Sequence, residues 1–115
     1  MWALLVLWDL SSGSKMSVDE LRSYIRDESL AKFREREGLR LKVWISNRET
    51  GRWGAMYLFE SREAAEAQAG TVTRPELMTG VRPTVELFEV EAAAEGRHAG
   101  TDLLTTGLVF GLPDW

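Results

Sequence analysis

The stretch LRLKVWISN (residues 39–47), a short break, and RWGAMYLFE (residues 52–60) decide the fold. Both halves alternate with a period of two, the pattern of β-strands. The break holds turn-forming residues, so the two halves make a hairpin. Glu49-Thr50-Gly51 reads as the loop, with Gly51 in the left-handed position of a type I turn plus bulge. That loop places Trp44 opposite Met56. Leu39, Leu41, Val43 and Ile45 then share a face with Trp53, Ala55, Tyr57 and Phe59. Arg40, Lys42, Trp44 and Ser46 share the other with Gly54, Met56 and Leu58. Both faces of 52–60 are apolar, which predicts a central strand.

Towards the N-terminus, residues 2–10 (WALLVLWDL) are also apolar on both faces and predict a second central strand. Ser17 and Glu20 form a capping box that opens a helix. Its stripe runs through Val18, Leu21, Tyr24/Ile25, Leu30 and Phe33 towards Glu37. Asp27-Glu28-Ser29 upsets the spacing and predicts a kink or break. Gly38 closes the helix. Beyond the hairpin, Ser61 caps a short helix over 62–69, Thr73-Arg74-Pro75-Glu76 starts a further helical turn, and 84–91 is the last strand. Residues 92–100 read as a linker. The order βαββαβ predicts an α+β, ferredoxin-like protomer with an antiparallel sheet whose first and third strands lie in the middle. Two helices cover only one face of such a sheet. The other face, with Trp44, Met56 and Leu58, is too apolar to stay wet and predicts a homodimer joined sheet to sheet.

Composition narrows the function. The chain has 115 residues, enough for one domain, a net charge of −4, no Cys and one His. Nucleic acid is not the expected partner, because phosphate needs a basic stripe. Disulfides, thiolate metal sites and thiol nucleophiles are excluded, and a lone His98 leaves no multi-His metal site. The adjacent Asp27/Glu28 pair points to different helix faces, so no metal is expected. The apolar N-terminus is short and lacks a basic n-region, and no run is long enough to span a membrane. A soluble, cytoplasmic protein is expected, with no membrane partner.

The predicted faces give a pocket between sheet and helices. Tyr57 and Asn47 are its candidate catalytic groups: the phenol hydrogen-bonds a substrate hydroxyl or oxyanion, and the amide orients it. Trp53, Phe59, Val43 and, from the first helix, Tyr24 are the candidate substrate-binding residues. Such a wall suits a small aromatic ligand. The plain alternative is a set of core aromatics whose polar atoms meet backbone or water. Lys42 and Trp44 fall on the dimer face, with the Lys stem along an indole. The run Arg34-Glu35-Arg36-Glu37 reads as a solvated helix end.

Three runs carry a family resemblance: Gly38 to Trp44 (GLRLKVW), Gly54 to Phe59 (GAMYLF), and Gly80-Val81 followed by Leu87 to Val90 (LFEV). In this order they resemble the YdhR-type monooxygenase family of the dimeric α/β-barrel superfamily, which includes the antibiotic-biosynthesis monooxygenases. The resemblance covers about Trp2 to Ala92. It implies a homodimer of ferredoxin-like protomers forming a dimeric α/β barrel over residues 1–92. It also implies oxidation of phenolic or polycyclic aromatic molecules by molecular oxygen, with no metal, flavin or haem cofactor. The family's Asn, Trp, Tyr and Arg spacing is not reproduced, so no catalytic set is carried over. The expected activity is that of a cofactor-independent monooxygenase acting on a small aromatic or quinone-type molecule. The alternative is a non-catalytic ligand-binding or structural dimer of the same fold. Residues 93–115, a linker and an apolar end, are expected to pack on the dimer, covering the partner's edge strand or pocket mouth, or else to fold back along their own sheet edge.

Overall fold

Strand β1 (Trp2–Asp9) lies between β3 (Arg52–Phe59) and β4 (Thr84–Glu89), and β2 (Leu39–Asn47) flanks β3, all antiparallel, in the order β2-β3-β1-β4. This computed structural model describes residues 1–72, 79–98, 100 and 103–111. The two strands read as doubly apolar are the central ones, and the fold is the α+β, ferredoxin-like one. The helical turn expected from Thr73 lies outside the described residues.

One sheet face is covered by helices. The Ser17 hydroxyl accepts from the Glu20 N–H at 3.1 Å, and the Glu20 carboxylate accepts from the Ser17 N–H at 3.2 Å, so the capping box starts α1 (Val18–Tyr24) as expected. The disturbance at Asp27–Ser29 does not break the helix. Ile25–Ser29 forms a π-helical turn in which the Leu30 N–H donates to the Ile25 carbonyl, five residues back, before α2 (Leu30–Arg34) resumes. The extra residue matches the five-residue step from Ile25 to Leu30 and keeps Leu21, Ile25, Leu30 and Phe33 on the core side. Ser61 caps α3 (Arg62–Ala69), whose Ala65 and Gln68 are buried against the sheet. Beneath the helices Leu4, Val6 and Trp8 join Trp53, Ala55, Tyr57 and Phe59 in one core.

The hairpin register departs from the expectation. Asn47 pairs with Arg52, so the loop is the four residues 48–51 and not three. The Asn47 side chain closes this longer loop: its Oδ1 accepts from the N–H of Glu49 at 3.0 Å and of Thr50 at 3.3 Å, with Gly51 at φ 71°. One added loop residue slides β2 by one position, and with a side-chain period of two the β2 residues from Leu41 to Asn47 change face. Lys42 lies opposite Tyr57 and Trp44 opposite Ala55, so both point to the helices; Val43 lies opposite Met56 on the uncovered face. An irregularity between Leu39 and Leu41 absorbs the slip, so Leu39, opposite Phe59, stays on the core side. The uncovered face therefore carries Leu5, Leu41, Val43, Met56, Leu58 and Phe88, which form a shallow apolar trough, and not Trp44.

Past β4, residues 92–98 carry no helix or strand. Leu103–Thr105 and Leu108–Phe110 make single helical turns; the second lies on this chain's own α1 and π turn, and its Val109 packs against the core.

Candidate functional site

The covering helix leaves a gap beside edge strand β2. A cavity of about 610 Å³ fills it, walled by Ile25, Leu30 and Phe33 of the helix, Trp44 of β2, Trp53 of β3 and Val109 of the C-terminal segment. The wall is apolar with a few polar groups, the usual make-up of a small-molecule site. One of these is unusual: the Lys42 amine sits among three aromatic faces. Nζ lies 3.4 Å from the ring centroid of Phe33, 4.4 Å from that of Trp44 and 4.6 Å from that of Tyr57. Phe33 stands edge-on to both other rings, at 5.9 Å and 6.1 Å.

Local sequence explains the box. The four-residue loop turns Lys42 and Trp44 inward, and the π turn brings Phe33 down over them. No ion pair of the described residues involves Lys42. Burial, reinforced by the charges of Lys32 and Arg36, pushes its amine from the ordinary 10.5 down to about 6. The ring faces act the other way, since each favours the ammonium form. Beneath Lys42, burial pushes the Tyr57 phenol up to about 12, against the Arg36 charge and a hydrogen bond with Gln68. Arg36 Nη1 in turn donates to Gln68 Oε1, and Gln68 Nε2 donates to Thr71 Oγ1 at 3.2 Å.

The sequence-predicted site residues separate in the structure. Trp53 lines the cavity. Tyr57 lies one layer below it, and Phe59 stacks on Tyr57 at 5.7 Å with the planes 14° apart, deep in the core. Val43 borders the cavity through the edge strand while its side chain faces Met56 on the uncovered face. Tyr24, at the end of α1, is not part of the wall, and Asn47 is exposed and engaged in the hairpin turn. Sequence reasoning missed Lys42, Trp44 and Phe33 as a unit. The signal was present in Asn47: an Asn two and three residues before free turn N–H groups favours the four-residue loop that turns the other two inward.

Among the described residues no group of His, Cys, Asp or Glu is placed to hold a metal ion, and no helix is long and apolar enough to cross a membrane.

Comparison with known proteins agrees with this architecture. The sequence model of the family described as "putative mono-oxygenase ydhR" matches residues 11–97. Among solved structures, the chain superimposes with a TM-score of 0.55 on a "putative antibiotic biosynthesis monooxygenase" from Deinococcus radiodurans, at 10% identity over 85% of this chain and 100% of that one. A variant of SnoaB, a cofactor-independent oxygenase from Streptomyces nogalater, also gives a TM-score of 0.55, at 13% identity over 80% of this chain and 94% of that one. No curated protein matches. At these identities the structural likeness speaks for the fold.

Proposed function

This chain belongs to the family described as putative mono-oxygenase ydhR, and from that premise we propose that it is an oxygenase that needs no cofactor and acts on a small aromatic or quinone-type molecule bound in the cavity beside β2. The observation that carries this reading is the aromatic-walled cavity of about 610 Å³ with one desolvated amine in its wall. A flat apolar ring lies between Phe33 and Trp44 on one side and Trp53 on another. Dioxygen reacts with an electron-rich ring when the ring is held as an anion away from water. Conversion of a ring methylene to a carbonyl balances without a further reductant: one oxygen atom enters the product, the other leaves as water, and the substrate supplies all four electrons. Tyr57, neutral and held by Gln68, supports the amine from below.

The working unit is a homodimer closed over the uncovered sheet face. Met56 and Phe88 stand 53% and 48% exposed there, next to Leu5 and Leu58, and pairing two such faces removes that surface from water.

Oxygen consumption by metal-stripped protein with a panel of hydroxylated naphthalenes and anthrones tests the activity. The expected result is one dioxygen consumed per product, with one labelled oxygen atom retained. Binding of the panel with no oxygen consumed removes the oxygenase reading and leaves a ligand-binding dimer.

A further inference from the structure

The protein is acidic overall, at −4, yet its cavity is not. Arg22, Arg34, Arg40 and Lys42 line it, and among the described residues no Asp or Glu does. Two of these cations are already balanced at the rim. Arg22 lies 4.0 Å from Asp19, and Arg40 lies 4.0 Å from Glu60. Lys42 differs in both respects: it is inside, and the charges that act on it, those of Lys32 and Arg36, repel it. Three ring faces are ready to stabilise an ammonium that has no counter-ion among the described residues. An amine so placed lacks one component, a negative charge delivered by a ligand whose body fits the apolar wall.

We propose that the cavity takes an apolar aromatic molecule bearing one acidic oxygen, a carboxylate or a phenol, and that Lys42 is the group that meets it, binding the ligand as its anion beside the Lys42 ammonium. The inference rests on the reading of this cavity as the ligand site and names the ligand class. For a phenol, the O–H bond breaks, its proton moves to the Lys42 nitrogen lone pair, and the electron pair stays on the ring oxygen. For a carboxylate, already ionised in solution, the proton comes from the solvent. The two sources therefore differ in proton count. Tyr57 stays neutral, so the titration near neutrality belongs to Lys42.

Calorimetric titration of the whole chain with 2-naphthoate, 2-naphthol and naphthalene-2-carboxamide, in buffers of different ionisation enthalpy, tests this. We expect 2-naphthoate to bind about tenfold or more tighter than the carboxamide at pH 7 and to take up close to one proton. Its affinity then falls by about tenfold per pH unit between about pH 7 and 9, as one-proton linkage requires. 2-Naphthol binds with no net proton exchange and with the absorption band of its anion. Lys42→Met keeps the carboxamide affinity and loses both the preference and the proton uptake. Lys42→Arg keeps the preference without the uptake, because a guanidinium is always charged. Tight binding by only one of naphthoate and naphthol identifies the acidic group. Equal affinities for naphthoate and carboxamide, or naphthoate uptake of no proton, overturns the proposal while the cavity remains a ligand site. Failure of all three probes to bind overturns the cavity reading and the proposal together.

Discussion

β2 and β3 lie side by side and alternate with the same period, yet turn different chemistry towards the helices. β3 sends Trp53, Ala55, Tyr57 and Phe59 inward, all buried. β2 sends Lys42, Trp44 and Ser46 inward and leaves Leu41, Val43 and Ile45 on the uncovered face. Hydropathic alternation assigns the inward side of β3, because its inward side is core. It misassigns β2, because the inward side of β2 is the wall of a cavity and its outward side is an apolar sheet face. The rule that apolar residues point inward holds for packed interiors and inverts where a polar group is kept inside for use.

The largest way to break this arrangement is at the strand that holds the two patterns in register. Gly54 lies between Leu7 and Ile45, and a side-chain carbon there would collide with the Val6 carbonyl oxygen and crowd Leu7. Backbone has nowhere to move in a central strand. Gly54→Val should cost at least ~3 kcal/mol, at the upper end of overpacking effects, and lower the melting temperature by roughly 10 °C or more. A variant that melts like the parent would mean that β3 is not clamped between its neighbours.

The outward side of the comparison is tested at Met56. Its side chain is 53% exposed within one chain, so Met56→Asp should leave the stability of the single chain within about 0.5 kcal/mol, as for other surface substitutions. Across a sheet-to-sheet interface the same carboxylate is buried without a partner, at a penalty of several kcal/mol. Sedimentation should find the parent dimeric and the variant monomeric at micromolar concentration. A variant that remains dimeric places the interface elsewhere.

The inward side is tested at Lys42. Its amine titrates at about 6 in the folded chain and at its ordinary 10.5 when unfolded. Between these values the unfolded chain binds the extra proton, so this lysine makes folding less favourable at neutral pH, and stability rises as pH rises through the window. Below about pH 6 the penalty is complete and flat. Lys42→Met should therefore stabilise the protein by ~1–3 kcal/mol near neutral pH, the range for relieving a poorly satisfied buried polar group. The gain should shrink towards pH 10. Denaturant melts of both proteins across pH 6 to 10 measure it. A constant difference would show that the amine is not desolvated.

How far the sequence reaches follows from the same residues. Strand and helix positions, the capping box at Ser17, the cap at Ser61 and the central places of β1 and β3 were legible, because local patterns create them. The disturbance at Asp27–Ser29 was visible as a defect, but its resolution as a π turn depends on Leu30 and Phe33 finding the core. The aromatic box around Lys42 comes with a loop one residue longer and an irregularity between Leu39 and Leu41, two compensating shifts that the hydropathic pattern of β2 does not mark. Hydropathy does not detect a slip that moves residues 41–47 together by one.

The smallest expected effect sharpens the cause of that slip. Asn47 sets the loop by accepting from two turn N–H groups, and it is exposed on the side away from the cavity. In Asn47→Ala water replaces the lost acceptor, so the cost is about 1 kcal/mol, that of one ordinary hydrogen bond. Amide exchange should quicken at Glu49 and Thr50. The strand should not slide back, because sliding would expose Trp44 and pull Lys42 out of its three rings, and those contacts lie several residues from the turn. The β2–β3 ladder should thus keep its pairing of Trp44 with Ala55, and ligand affinity should match the parent. If cross-strand contacts instead appear between Trp44 and Met56, the loop alone sets the register. If affinity falls while the ladder holds, Asn47 contributes to the site from its exposed position.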